Sequence, residues 1–179
     1  MTKWNIVITI QEHFFQQAWL CLKPFGVLAK TEFYNVLVMQ AENTQQTLQQ
    51  LQKKLTADAD LQTAISRVMP VTHSFTFQSA EQFETQARSV VETLLPKVAN
   101  KTFHVRMHRR GFKGRLSTIE EEKFLDTYIL EQLEQSGSPC KINFDDPDVI
   151  IAVETVAQQA GISIWSREDI ERYPILKLD

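Results

Sequence analysis

Residues 101–115, KTFHVRMHRRGFKGR, decide how the second half of this chain reads. Phe103, Val105 and Met107 alternate with His104, Arg106 and His108, the period of two that a strand requires. The strand runs into Arg109-Arg110-Gly111-Phe112-Lys113-Gly114-Arg115. Six Lys/Arg and no carboxylate fall within these fifteen residues, and His104 and His108 can add charge. The whole 179-residue chain carries a formal charge of -3, which taken alone argues against nucleic acid. Phosphate binding answers to local potential, however, so a concentrated cationic strip on an acidic protein remains an anion site.

Composition narrows the classes around this strip. A 43% apolar content with 11 Phe supplies a core and excludes disorder. Apolar runs reach only about five residues, as at Val149–Val153, against roughly 20 for a membrane span. The start Met1-Thr2-Lys3-Trp4-Asn5 lacks a charged head before an apolar stretch, which predicts no secretory signal and a cytoplasmic protein. Cys21 and Cys140 are too few for a disulfide scaffold or a zinc site.

Upstream of the strip, a helix is expected from Ser79, with Phe83, Ala87, Val90, Val91, Leu94 and Leu95 on one face. Downstream, Ser117-Thr-Ile-Glu120 fits a capping box, and Leu125, Tyr128, Ile129 and Leu133 continue that helix. Strands follow at 141–144, 149–156 and 162–165. Further out, the first half reads as strand 4–10, helix 14–22, strands 27–30 and 33–39, helix 44–55, a helical piece 60–67 and strand 71–77. This β-α-β-β-α-β order is the split-βαβ, ferredoxin-like arrangement. The expected fold is α+β: a ferredoxin-like domain over residues 1–78, packed on an α/β domain over residues 79–179.

Within the strip, Arg forks at 106, 109, 110 and 115, with Lys101, Lys113 and His108, suit phosphate. Gly111 and Gly114 permit close backbone approach. Phe112, between cations, either stacks on an unpaired base or folds back on the core. The pairing of cations with an aromatic points to RNA or a single strand. A solvated face, or a surface for an acidic protein partner, is the competing reading of such a run. His104 and His108 lie about 13 Å apart on a strand and cannot chelate one ion, so no metal is expected. Asp145, Asp146, Asp148 and Glu154 are open to two readings. They are a tight turn plus a strand-end carboxylate pairing with an arginine, or a magnesium or acid–base site of an enzyme. Five glycines include no phosphate loop, and no nucleophile elbow or Cys/His dyad is present, so no catalytic residue and no cofactor is expected.

The segment Phe103-His-Val-Arg-Met-His-Arg-Arg-Gly111, a capped helix, and Ile142-Asn-Phe-Asp-Asp-Pro-Asp148-Val-Ile-Ile-Ala-Val-Glu154 together resemble a THUMP domain. The first half resembles the ferredoxin-like domain that accompanies THUMP in tRNA-modifying proteins. The resemblance implies tRNA binding at the acceptor end and its unpaired 3′ tail. Arg106, Arg109 and Arg110 match the family's basic strand, and Lys113 and Arg115 extend it by charge. The chain ends about 14 residues after its last expected strand, which predicts no attached catalytic domain. That form resembles the adaptor that presents tRNA to an RNA cytidine acetyltransferase. Glu120-Glu121-Glu122 departs from a pure anion site; it is expected to repel phosphate from the helix end, leaving strand and loop as the contact surface. No oligomeric state follows from these features.

Overall fold

In the computed structural model, which describes residues 3–178, the chain divides into two α+β units. Met1, Thr2 and Asp179, the outer ends of the two expected domains, lie outside the described residues. The first unit runs to Thr72 and also takes in Ile170–Lys177; the second is His73–Asp169 with Leu178.

The first unit contains β1 (Ile6–Ile10), α1 (Phe15–Leu22), β2 (Val27–Lys30), β3 (Val36–Gln40), α2 (Thr44–Ala57), α3 (Ala59–Ala64) and β4 (Ile65–Pro70). Its sheet has the order β2-β3-β1-β4, with every neighbouring pair antiparallel. Asn43 caps α2 by accepting from the Gln46 N–H, and Leu48, Leu51 and Leu55 form the buried stripe predicted for it. The helical piece expected over 60–67 ends early. Asp58 caps a short α3 that stops at Ala64, and Ile65–Pro70 is the fourth strand, paired to β1 from Ile65↔Ile10 to Pro70↔Ile6. Ile65 and Val68 are β-branched, and Pro70 is tolerated because β4 is an edge. The strand expected over 71–77 therefore does not complete this sheet.

The second unit contains β5 (His73–Thr76), α4 (Ala80–Val98), β6 (Thr102–His108), α5 (Thr118–Gln135), β7 (Lys141–Ile142), β8 (Val149–Val156) and β9 (Gln159–Ser166). A last helix, α6 (Arg167–Arg172), spans the division. The sheet order is β5-β9-β8-β6-β7. The division falls at Thr72/His73 rather than after Gln78 because β5 pairs antiparallel with β9, His73 opposite Ile162. Phe77 likewise belongs to the second core, 5.4 Å from Phe83. That core gathers Phe83, Ala87, Val91 and Leu94 of α4, Leu125, Ile129 and Leu133 of α5, and Phe103, Val105 and Met107 of β6. Both helix stripes and the β6 alternation are as the periodicity predicts.

β6 pairs in parallel with β8 along its length but with β7 only at Thr102 and Phe103. Its outer edge beyond that point needs other acceptors for its N–H groups. Two carboxylates one turn apart on α5 supply them: Asp126 Oδ1 accepts from Val105 N at 3.1 Å and Glu122 Oε1 from Met107 N at 2.8 Å. The spacing i, i+4 on the helix thus matches i, i+2 on the strand. This clamp holds the start of α5 beside the end of β6.

Candidate nucleic-acid interface

After His108 the chain turns back on itself through Gly111 (φ 99°), Phe112 (φ 53°) and Gly114 (φ 79°). The left-handed φ at Phe112 is strained for a residue with a Cβ. Burial offsets it: Phe112 is 9% exposed, with its ring 4.9 Å from Phe77 and the Arg115 guanidinium 4.3 Å from its centroid. Phe112 is a core anchor for the loop, so the expectation that it stacks on a base is corrected.

The cations separate into distinct roles. Arg110 is stapled to β8: its Nη1 lies 2.6 Å from Glu154 Oε2, and its backbone N–H donates to Thr155 Oγ1 at 3.0 Å. Glu154 is fully buried and the Arg110 side chain is only 13% exposed. His108 Nδ1 stands 3.7 Å from the other Glu154 oxygen. Arg110 is therefore held by Glu154, and His108 stands beside the same carboxylate. The reading of Glu154 as a carboxylate that pairs with an arginine is the one the geometry bears out. Lys101 precedes β6 and lies some 25 Å along the strand from Arg109 at about 3.3 Å per residue. Arg106 and Lys113 are exposed. Arg109 Nη1 donates to the Gly111 carbonyl, which folds its side chain over the loop.

Arg109 and Arg115 come together. With Gly114, Ser117, Thr118 and Glu120 they line a cleft of about 450 Å³ at the start of α5. Ser117 caps this helix by accepting from the Glu120 N–H at 3.3 Å. The acidic run is mostly turned away. Glu121 is 3% exposed and faces Glu84 of α4, where burial, then the hydrogen bond to that carboxyl, pushes it up to about 8. Glu122 is spent on Met107. Of the three, Glu120 alone lines the cleft, beside Ser117 and Thr118 at the helix start. Two guanidiniums beside a helix N-terminus form an arrangement suited to phosphate.

The four carboxylates of the enzyme reading are not brought together. Asp148 Oδ2 accepts from the N–H and the hydroxyl of Thr102, at 2.9 and 3.0 Å, and these bonds hold its carboxyl below the usual range. Asp146 pairs with Arg167 at 2.9 Å. Asn143 Oδ1 accepts from the N–H groups of Asp145 and Asp146, an Asx turn. Glu154 sits at the far end of β8, roughly 20 Å from Asp148 by strand rise. Among the described residues no group of three or more potential ligands converges on a metal position. Asp148→Ala should accordingly cost stability, about 1 kcal/mol for the lost Thr102 bonds, read as a lower urea midpoint. A loss of divalent-metal-dependent turnover without a stability change would instead favour the enzyme reading.

Residues 77–164 match the family model described as THUMP domain. The second unit carries a THUMP domain. Several solved structures share the fold of the chain. They include PH1313 from Pyrococcus horikoshii Ot3 (TM-score 0.56, 12% identity, 90% of this chain and 54% of that one). A 4-thiouridine synthetase in complex with RNA and bound ATP matches over 92% of this chain and 42% of that one (TM-score 0.55, 14% identity). TrmN from Thermus thermophilus matches over 90% and 44% (TM-score 0.56, 12% identity). At these identities the likeness is one of fold, and the chain spans about half or less of each structure's length. No curated protein matches the chain in sequence. Among the described residues no helix is long and apolar enough to cross a membrane.

Proposed function

We propose that this chain is a non-catalytic, cytoplasmic tRNA-binding protein that presents the acceptor end of tRNA to a separate modifying enzyme, a cytidine acetyltransferase being the leading class. The observation that carries the RNA reading is the convergence of Arg109, Arg115 and the α5 N-terminus on one cleft within the THUMP domain. Exposed Arg106 and Lys113 extend the positive surface along β6 and its loop. The 4-thiouridine synthetase that shares this fold was crystallised as a complex with RNA, which is in keeping with this reading. Guanidiniums fix the backbone, and the acidic surface elsewhere discourages indiscriminate coating.

Retardation of tRNA over a salt series tests it. Arg109→Ala with Arg115→Ala is expected to weaken binding at least tenfold and to flatten the log K against log salt slope by about 0.7–0.9 per lost phosphate contact. Unchanged affinity and slope would remove the cleft as the site. The adaptor role is tested by co-purification from the native cell: a modifying enzyme recovered together with tRNA supports it, and tRNA without any such enzyme counts against it.

A further inference from the structure

With Phe112 in the core, the basic face has a different aromatic. Phe144 follows β7 and is 70% exposed, which leaves a large apolar ring in water. Its carrier is fixed. Asn143 donates its N–H to the Phe103 carbonyl at 3.0 Å, its side chain closes the Asx turn, and Arg167 ties Asp146 at 2.9 Å. The Phe144 ring centroid lies 5.7 Å from that of His104, tilted by 41°. His104 is only 4% exposed, and burial lowers its pKa, so the ring beneath Phe144 is an uncharged support at neutral pH. The other side of Phe144 is open.

Position on β6 gives this ring its meaning. His104 and Arg106 share one face of the strand, about 7 Å apart. Arg109 lies about 10 Å beyond Arg106 and opens into the cleft. The order along the strand is therefore aromatic ring, exposed guanidinium, cationic cleft. A duplex hides its base faces, whereas an unpaired strand offers them at the spacing of its phosphates. Asp145, exposed beside Phe144, disfavours a backbone running over the turn and favours one directed toward Arg106.

We propose that Phe144 stacks against one unpaired base of a single-stranded RNA segment whose phosphates run past Arg106 into the Arg109–Arg115 cleft. This rests on the RNA reading of the cleft and assigns to it the single-stranded part of the ligand.

The test measures anisotropy of the full chain with two labelled probes: an oligoadenylate of about ten nucleotides and a blunt RNA duplex. Phe144→Ala is expected to weaken the single strand by about 5- to 100-fold while leaving the duplex within about twofold and the salt slope unchanged. Phe144→Trp is expected to restore affinity, and a 2-aminopurine in the strand to be quenched by wild type but not by Phe144→Ala. Melting of Phe144→Ala should match wild type, since an exposed ring contributes little to the core. Single-strand affinity within twofold of wild type overturns the stacking proposal, as does equal loss on strand and duplex. If the arginine pair abolishes binding while Phe144→Ala does not, the cleft stands and the stacking falls. If wild type binds neither probe, the RNA reading falls with it.

Discussion

Arg110→Ala is expected to destabilise the second unit by about 3–5 kcal/mol, the largest effect of any single truncation at the interface. The reason is Glu154, which is fully buried with Arg110 Nη1 at 2.6 Å. Removing the guanidinium leaves a carboxylate in the interior with the partly exposed His108 ring 3.7 Å from it. Urea unfolding should show the midpoint fall with an unchanged m-value. Arg110→Lys should recover only part of the loss, because an ammonium cannot reproduce the planar fork. Arg110→Met with Glu154→Met should lie nearer wild type than either single change, since no charge is then stranded. A cost under about 1 kcal/mol for Arg110→Ala would show the pair to be hydrated and the assignment to be wrong. Any RNA-binding defect of an Arg110 variant must be read beside its stability.

Glu121→Gln is expected to remove most of the pH dependence of stability above pH 5. The Glu121 carboxyl is pushed from 4.5 to about 8, first by burial and then by the hydrogen bond with Glu84. A raised acid binds its proton more tightly in the folded chain than in the unfolded one. Its stabilisation is therefore complete below about 4.5 and is lost as pH climbs through about 8. Asp126, pushed up to about 6 chiefly by burial, acts in the same direction over a lower window. Wild type should melt several degrees lower at pH 8.5 than at pH 5. The Gln variant should be nearly level across that range, retaining the smaller Asp126 contribution. A wild-type curve that rises from pH 5 to pH 8.5 would contradict the raised Glu121 carboxyl.

Much of the architecture was legible because it follows from short-range periodicity. The alternation at 103–108, the α4 and α5 stripes and the Ser117 cap all appear where their spacing puts them. The strand at Ile65–Pro70 is hidden in the sequence because a capped turn after Asp58 resembles the start of a longer helix, and only pairing with β1 shows otherwise. The site was less legible, since charge along a sequence does not say which cations are already neutralised. Arg109 and Arg110 are adjacent and chemically identical. One lines a cleft and the other closes a buried ion pair because successive strand-end residues face opposite ways. The three glutamates at 120–122 diverge likewise, by about 100° per residue around α5. Phe112 takes the core side of its two readings because the left-handed backbone there turns its ring inward, a fact no local composition signals.

The return of residues 170–177 to the first unit bears on synthesis. Arg67 Nε donates to the Leu176 carbonyl at 3.0 Å, Gln52 Oε1 accepts from Ile175 N at 3.2 Å, and Tyr173, Ile175 and Leu176 are buried. At about 5–20 residues per second, the ribosome delivers these partners on the order of 5–20 s after β4. The second unit has all its strands, β5 to β9, in hand earlier. The later-made unit is thus expected to pair its strands first during synthesis, with the earlier-made one waiting for residues 170–177.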